Sequence, residues 1–232
     1  MKYIRQSLDI SAYLVIGPEN TLGRPLKDIV EAAVLAGFTC VQVRSKVASA
    51  RDMIEYCRQC AQVIAKAGKS DHVALLVDDR LDVVLAARDS GIKVDGIHVG
   101  QSDIPVEICR KYLGENSVVG LSARTDKLLD YVRTCDVSNI DYFGAGPLHE
   151  TATKPDCGRD SSGRVITRDY EELTELSRIS PIPVVVGGGV KVNDLPSLKK
   201  TNVAGFFVVS AVAAADDPKT AAEQLCSVWH NS

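Results

Sequence analysis

The sequence has no surplus of basic residues: 27 Lys and Arg stand against 30 Asp and Glu, for a net charge of −3. Proteins that track a phosphodiester backbone concentrate Lys and Arg on one face, so nucleic acid is not an expected partner. No apolar run approaches the roughly 18 residues that a membrane-spanning helix needs, and no membrane association is expected. The opening stretch, MKYIRQSLDISAYLVIG, offers neither the unbroken apolar segment nor the small-residue cleavage site of a secretory signal. The expected compartment is the cytoplasm. A paired cysteine framework is also missing. Seven cysteines, an odd number, are scattered through apolar segments of a chain too large to need covalent staples, which reads as buried thiols rather than disulfides. Cys57 and Cys60 form one C-x-x-C, but inside a helical pattern and without a second pair at metal spacing, so a plain helical placement is preferred to zinc or redox chemistry. Nor does any linker or shift of composition divide the chain into two domains.

What the sequence does contain is alternation. Strand signals at 13–16, 40–44, 74–77, 96–99, 118–121, 141–144, 183–186 and 205–209 alternate with helical signals at 25–35, 50–67, 81–88, 105–114, 127–134, 170–178, 193–200 and 218–229. Short runs rich in Val, Ile and Leu, each followed by a helix, are what a parallel sheet buried on both faces requires. Eight such units predict an α/β protein, a (β/α)8 TIM barrel forming a single domain over residues 1–232, close to the usual size of about 250 residues. An open doubly wound sheet is the alternative. In both folds ligands bind at the carboxyl ends of the strands, which confines the search for chemistry to the residues that follow each strand.

Two of those ends are acidic. LLVDDR places Asp78 and Asp79 after the third strand, and GIHVGQSD places Asp103 after the fourth. The intervening LDVVLAARDSG is a crossover helix, and parallel strands end at the same edge, so Asp79 and Asp103 are expected over one site. In VQVRSK the period of two sends Val41 and Val43 to one face and Gln42, Arg44 and Lys46 to the other. Two cations at a barrel mouth need an anion. Either the neighbouring Asp78 and Asp79 or a ligand satisfies them. Thr151, Thr153 and Lys154 lie on a long loop, 145–169, after the sixth strand; Gly187-Gly188-Gly189 and Ser210-Ala211 follow the last two strands, where barrels of this class bind phosphate. Two anionic groups are therefore expected. Carboxylates beside cations at a phosphate site imply a divalent metal, most simply Mg²⁺.

Taken together, QVRSK, VDDR, GIHVGQSD, GLSA, DYFGAGP, TATKPD, VVGGG and FFVVSA occur in the order and spacing of the thiamine-phosphate synthases, and they span the second strand to the eighth. The chain resembles that family. The resemblance implies a barrel that joins 4-amino-2-methylpyrimidine-5-ylmethyl diphosphate to 4-methyl-5-(2-phosphooxyethyl)thiazole. Diphosphate departs first, and the thiazole nitrogen captures the resulting pyrimidine methyl cation. Carried over by motif, Gln42, Arg44 and Lys46 bind the pyrimidine diphosphate, and Ser122, Thr151, Thr153 and Lys154 line the same side. Gly188, Val209 and Ser210 hold the thiazole phosphate, and Asp79 and Asp103 hold Mg²⁺. Arg44, Lys46, Lys154 and Ser122 form the catalytic set. The implied partners are these two small molecules; the oligomeric state stays open, a homo-oligomer included.

The chain departs from the family pattern at a few positions. Asp78 stands where the family usually has Asn, and is counted among the substrate-side residues as protonated, metal-bound or turned away. Ser45 replaces a common Glu and is expected to face away. GGGV replaces a Gly-Gly-Ile type of turn. No nucleophile–base pair is evident. His98 is expected in a hydrogen-bonded structural role, His149 on a loop, and His72 and His230 at the surface. Two alternatives share the barrel: a thiazole tautomerase, and a noncatalytic barrel that binds thiamine phosphate or a precursor. Arg44, Lys46, Asp103, Ser122 and the TATK loop, which clamp a diphosphate, count against the tautomerase.

Overall fold

The structure is a computed structural model of the protein that describes residues 4–123, 127–151 and 164–232. Its strands are β1 (Ala12–Ile16), β2 (Cys40–Val43), β3 (Ala74–Asp78), β4 (Gly96–Val99), β5 (Val118–Ser122), β6 (Tyr142–Ala145), β7 (Val184–Val186) and β8 (Gly205–Val208). All pair in parallel and in sequence order, and β8 closes on β1. This closed barrel is the predicted (β/α)8 architecture and rules out the open sheet. The helices are α1 (Leu26–Ala36), α2 (Ala50–Lys66), α3 (Leu81–Asp89), α4 (Val106–Leu113), α5 (Leu128–Thr134), α6 (Tyr170–Ile179), α7 (Leu195–Lys200), α8 (Ser210–Ala213) and α9 (Pro218–Asn231).

Local chemistry sets the helix ends. Ser49 opens α2 by accepting from the Asp52 amide, Asp169 opens α6 through the Glu172 amide, and Asp217 opens α9 through the Lys219 and Thr220 amides. Helix α1 closes on Gly37, whose φ of +112° takes the left-handed conformation that ends a helix. Helix α2 buries Met53, Cys57, Cys60 and Ile64 along one stripe, so both cysteines of the C-x-x-C are core residues. Cys40, Cys109 and Cys226 are buried thiols as well.

Alternation along the strands splits the core into two layers. Leu14, Ile16, Val41, Val43, Leu75 and Val77 face outward under the helices. Tyr13, Val15, Cys40, Ala74, Leu76, Val118, Tyr142 and Val185 fill the barrel. Inside, bulk is matched to its absence. A Cβ on Gly120 would lie 2.3 Å from the Tyr142 ring, and one on Gly187 would lie 2.2 Å from the Phe207 ring.

Differences from the expected elements are small and local. Helix α8 begins directly after Val209, where a single last helix was expected; its four residues are too few to show helical periodicity. The helical signal over 193–200 covers a 3₁₀ turn (Val192–Asp194) as well as α7. Strand β2 stops at Val43, one residue before the expected end. Strand β3 runs one residue past its apolar run because Asp78 pairs in register with His98. Among the described residues no helix is long and apolar enough to cross a membrane.

Candidate active site

The carboxyl ends of β2 and β3 bring the cations and acids together. Arg44 extends the β2 pairing by donating its amide to the Ile16 carbonyl at 2.8 Å. Its Nε lies 3.0 Å from Asp78 Oδ2, and Lys46 Nζ lies 3.5 Å from the same oxygen. Lys46 also donates to Asp79. Adjacent residues of a strand point to opposite faces, yet both carboxylates reach one ammonium. The reason is the backbone of Asp79: its φ of +59° leaves the extended conformation, and its amide donates to the His98 carbonyl at 2.8 Å. Asp78 is therefore not turned away; it pairs with Arg44 and Lys46.

Asp103 arrives from a turn after β4, where the Gly100 amide donates to its Oδ2 at 2.9 Å. Burial raises the proton affinity of Asp79, but the hydrogen bond and charge of Lys46 outweigh it, and the pKa settles below the ordinary value. For Asp103 burial again comes first; the Gly100 amide opposes it, and the neighbouring Asp79 adds to it, leaving the pKa raised. Burial alone would lower the Lys46 pKa, yet hydrogen bonding to Asp79 and the charges of Asp78 and Asp79 keep it raised. Ser45 faces away as expected, donating to Glu19 Oε1 at 2.6 Å, and the Lys46 amide donates to the same oxygen at 3.1 Å.

Deeper in the barrel, Gln42 Nε2 donates to the Tyr13 hydroxyl at 2.6 Å. The Tyr13 and Tyr142 hydroxyls are 2.9 Å apart, Tyr142 is 2.9 Å from His98 Nδ1, and His98 Nε2 is 2.9 Å from Ser122 Oγ. His98 is thus hydrogen-bonded as expected, though to side chains. Tyr13 and Tyr142 were not singled out from the sequence, because β1 and β6 are apolar and buried on both faces and their alternation carries no contrast.

At the other rim, Gly188 and Gly189 take φ of +81° and +73°, conformations that glycine adopts without strain. A Cβ on Gly188 would fall 2.5 Å from Pro147. The Gly187 and Gly188 carbonyls accept from the Leu148 amide, each at 3.0 Å, which ties the glycine turn to the loop after β6. His149, on that loop, lies with Nε2 2.9 Å from Asp194.

One cavity of about 550 Å³ joins these parts. It is lined by Gln42, Arg44, Lys46, Asp78, Asp79, Asp103, Ser122, Thr151, Gly188, Val209 and Ser210, together with Tyr13 and His98. Thr153 and Lys154 lie outside the described residues. Among the described residues no group of three or more His, Cys, Asp or Glu forms a metal cluster, so the expected metal position rests on the Asp79–Asp103 pair.

A family model described as thiamine monophosphate synthase matches residues 12–212. The chain belongs to the thiamine-phosphate synthase family. A thiamine-phosphate synthase of Corynebacterium efficiens is 38% identical over 222 residues, covering 96% of each chain. One from Clostridium tetani is 33% identical, over 97% of this chain and 98% of its own. Among solved structures, thiamine phosphate pyrophosphorylase from Pyrococcus furiosus superposes with a TM-score of 0.78 at 27% identity, covering 97% of this chain and 98% of that one. A 3-hexulose-6-phosphate synthase, at 13% identity and a TM-score of 0.62, shares the fold alone. Family membership places the chain among the transferases of thiamine biosynthesis.

Proposed function

We propose that this chain joins 4-amino-2-methylpyrimidine-5-ylmethyl diphosphate to 4-methyl-5-(2-phosphooxyethyl)thiazole and releases diphosphate. The observation that carries this reading is one cavity mouth where Arg44 and Lys46 meet Asp78, Asp79 and Asp103, with a glycine-rich rim at Gly188, Val209 and Ser210. Arg44 and Lys46, with Lys154, bind the diphosphate and stabilise the charge it carries away. Their present partners hold them in place. On substrate binding, phosphate oxygens replace carboxylate oxygens around the same guanidinium and ammonium, so little reorganisation is needed. Gln42, Ser122, Thr151 and Thr153 hold the pyrimidine side, and Gly188, Val209 and Ser210 take the thiazole phosphate.

Bond order changes in two steps. The methylene–oxygen bond breaks and its electron pair leaves with diphosphate; the thiazole nitrogen lone pair then forms the new bond to the methylene carbon. Neither step asks a side chain to be a nucleophile, in keeping with a site whose histidine is committed to Tyr142 and Ser122. The Asp79 and Asp103 pair fits Mg²⁺: two oxygen donors of like charge, one raising the other's proton affinity, form a site that a divalent cation relieves. That ion, when bound, supplies fixed positive charge to the leaving diphosphate.

The test is direct. Purified protein is incubated with both substrates and Mg²⁺, and thiamine phosphate and diphosphate are followed together. The expected result is stoichiometric formation of both. Binding of both substrates without product would sink the synthase reading and leave a noncatalytic binder. Proton exchange on the thiazole without diphosphate release would favour the tautomerase.

A further inference from the structure

The hydrogen bonds from Gln42 to Ser122 form one continuous path across the barrel, through side chains from β2, β1, β6, β4 and β5. Its direction follows from donor counting. An amide nitrogen donates and never accepts, so Tyr13 accepts from Gln42; its own single proton has two acceptors in reach, the Cys40 thiol and the Tyr142 hydroxyl at 2.9 Å, and goes to the oxygen because sulfur is the weaker acceptor. Tyr142 then gives its proton to His98 Nδ1. A neutral imidazole that accepts at Nδ1 carries its proton on Nε2, and this proton goes to Ser122 Oγ. The Ser122 proton is left over for the cavity that Ser122 lines.

Two further observations support the counting. Burial pushes the Tyr13 and Tyr142 hydroxyls well above the ordinary tyrosine value, so each keeps one proton to donate. The rings are also held in place: Tyr13 meets Tyr142 edge-on at 6.1 Å between centroids, and His98 stacks on Tyr142 at 5.5 Å.

We propose that this one-way path makes the Ser122 hydroxyl a fixed hydrogen-bond donor to an acceptor atom of the bound ligand. Tyr13, Tyr142 and His98 are positioning residues, and Gln42 sets the direction. The identity of the acceptor rests on the synthase reading: it is a ring nitrogen of the aminopyrimidine. An analogue with C–H in place of that nitrogen leaves the Ser122 proton unpaired and is rejected accordingly.

The first arm of the test uses no substrate, so it stands or falls separately from the synthase reading. Nitrogen-15 NMR of the ligand-free protein reports the tautomer of His98, its signal assigned by loss in His98→Asn. The expected form is Nε2–H in the wild type. Gln42→Leu removes the donor that sets the direction, and a mixture of both tautomers is expected there. Nδ1–H in the wild type, or pure Nε2–H in folded Gln42→Leu, would overturn the proposal; packing alone moves neither signal. In the second arm, Tyr142→Phe keeps both ring contacts and removes both hydrogen bonds. Its KM for the pyrimidine diphosphate is expected to rise about tenfold, the scale of one lost hydrogen bond, with KM for the thiazole phosphate unchanged. An unchanged pyrimidine KM, or equal rises for both substrates, would also overturn it.

Discussion

The Asp79 and Asp103 carboxyls meet at the ends of β3 and β4, and their proton affinities are pushed in opposite directions. Burial raises both. Lys46 pulls Asp79 below its ordinary value, and the charge thus kept on Asp79 joins burial in lifting Asp103 above its own. A pair of like charges held this way costs the empty protein something and favours any divalent cation that enters. Binding and stability therefore pull against each other at Asp103.

Asp103→Asn tests this opposition. The raised pKa of Asp103 favours its protonated form in the folded state, so the ionised group costs stability above that pKa, and the cost is relieved as pH falls through it. Asp79 runs the other way: its stabilisation is present above the unfolded pKa and is lost only as pH falls through its lowered folded value. Removing the Asp103 charge should leave the Tm of the cation-free protein equal or higher. Mg²⁺ affinity by calorimetry should fall by at least the roughly tenfold that even an outer-shell partner is worth. Wild-type Mg²⁺ affinity should decline on acidification through the raised Asp103 pKa, before Asp79 titrates. A variant that loses Tm and keeps its Mg²⁺ affinity would assign Asp103 a structural role instead.

Arg44→Ala removes one cation from the diphosphate side and leaves Asp78 with Lys46 at 3.5 Å. Turnover should fall on the order of a hundredfold, the scale of one preorganised electrostatic contact to departing charge. The assay belongs with a check by circular dichroism, because Asp78 is 8% exposed and loses its nearest guanidinium. A folded variant with wild-type turnover would remove Arg44 from the catalytic set. Lys154→Ala is expected to behave alike.

Much of this site was legible because short buried strands announce themselves. Val41 and Val43 against Gln42, Arg44 and Lys46 gave β2 an apolar and a polar face, the structure turns the polar one into the barrel, and acidic strand ends placed Asp79 and Asp103 at one edge. The Tyr13–Tyr142–His98 path was not legible, since β1 and β6 are apolar on both faces and alternation without contrast does not say which side is inside. Only closure of β8 on β1 does. Glu19 as the partner of Ser45 was hidden for another reason: it comes from the loop after β1, whose path no periodicity reports. The role of Asp78 depended on the same kind of long-range contact, its pairing with Arg44.

Asp78→Asn examines the residue at which the chain departs from the family pattern. The amide oxygen keeps an acceptor for Arg44 Nε, which now lies 3.0 Å from Asp78 Oδ2, while one negative charge disappears from beside the diphosphate position. KM for the pyrimidine diphosphate should drop severalfold, since a carboxylate no longer competes for Arg44 and Lys46. A higher KM would mean that Asp78 contributes to cation binding rather than holding the basic residues in readiness.

Gly120 and Gly91 separate two reasons for glycine, and their alanine variants should fail differently. Gly91 ends α3 at φ of +78° with nothing within 4 Å of a Cβ; alanine there meets only backbone strain, about 1–2 kcal/mol. Activity should stay at the wild-type level, because no part of the cavity moves. Gly120 has no such strain, but its Cβ would lie 2.3 Å from Tyr142 Cζ and 2.4 Å from the hydroxyl oxygen. Tyr142 is fully buried between Tyr13 and His98, so the ring cannot swing out and must push on both. Gly120→Ala should lose about 1–3 kcal/mol in urea unfolding, the usual cost of overpacking. It should also raise KM for the pyrimidine diphosphate, because displacing Tyr142 breaks the path to Ser122. Equal stability losses with wild-type kinetics in both variants would mean that the barrel interior yields at Tyr142 without disturbing the ligand side.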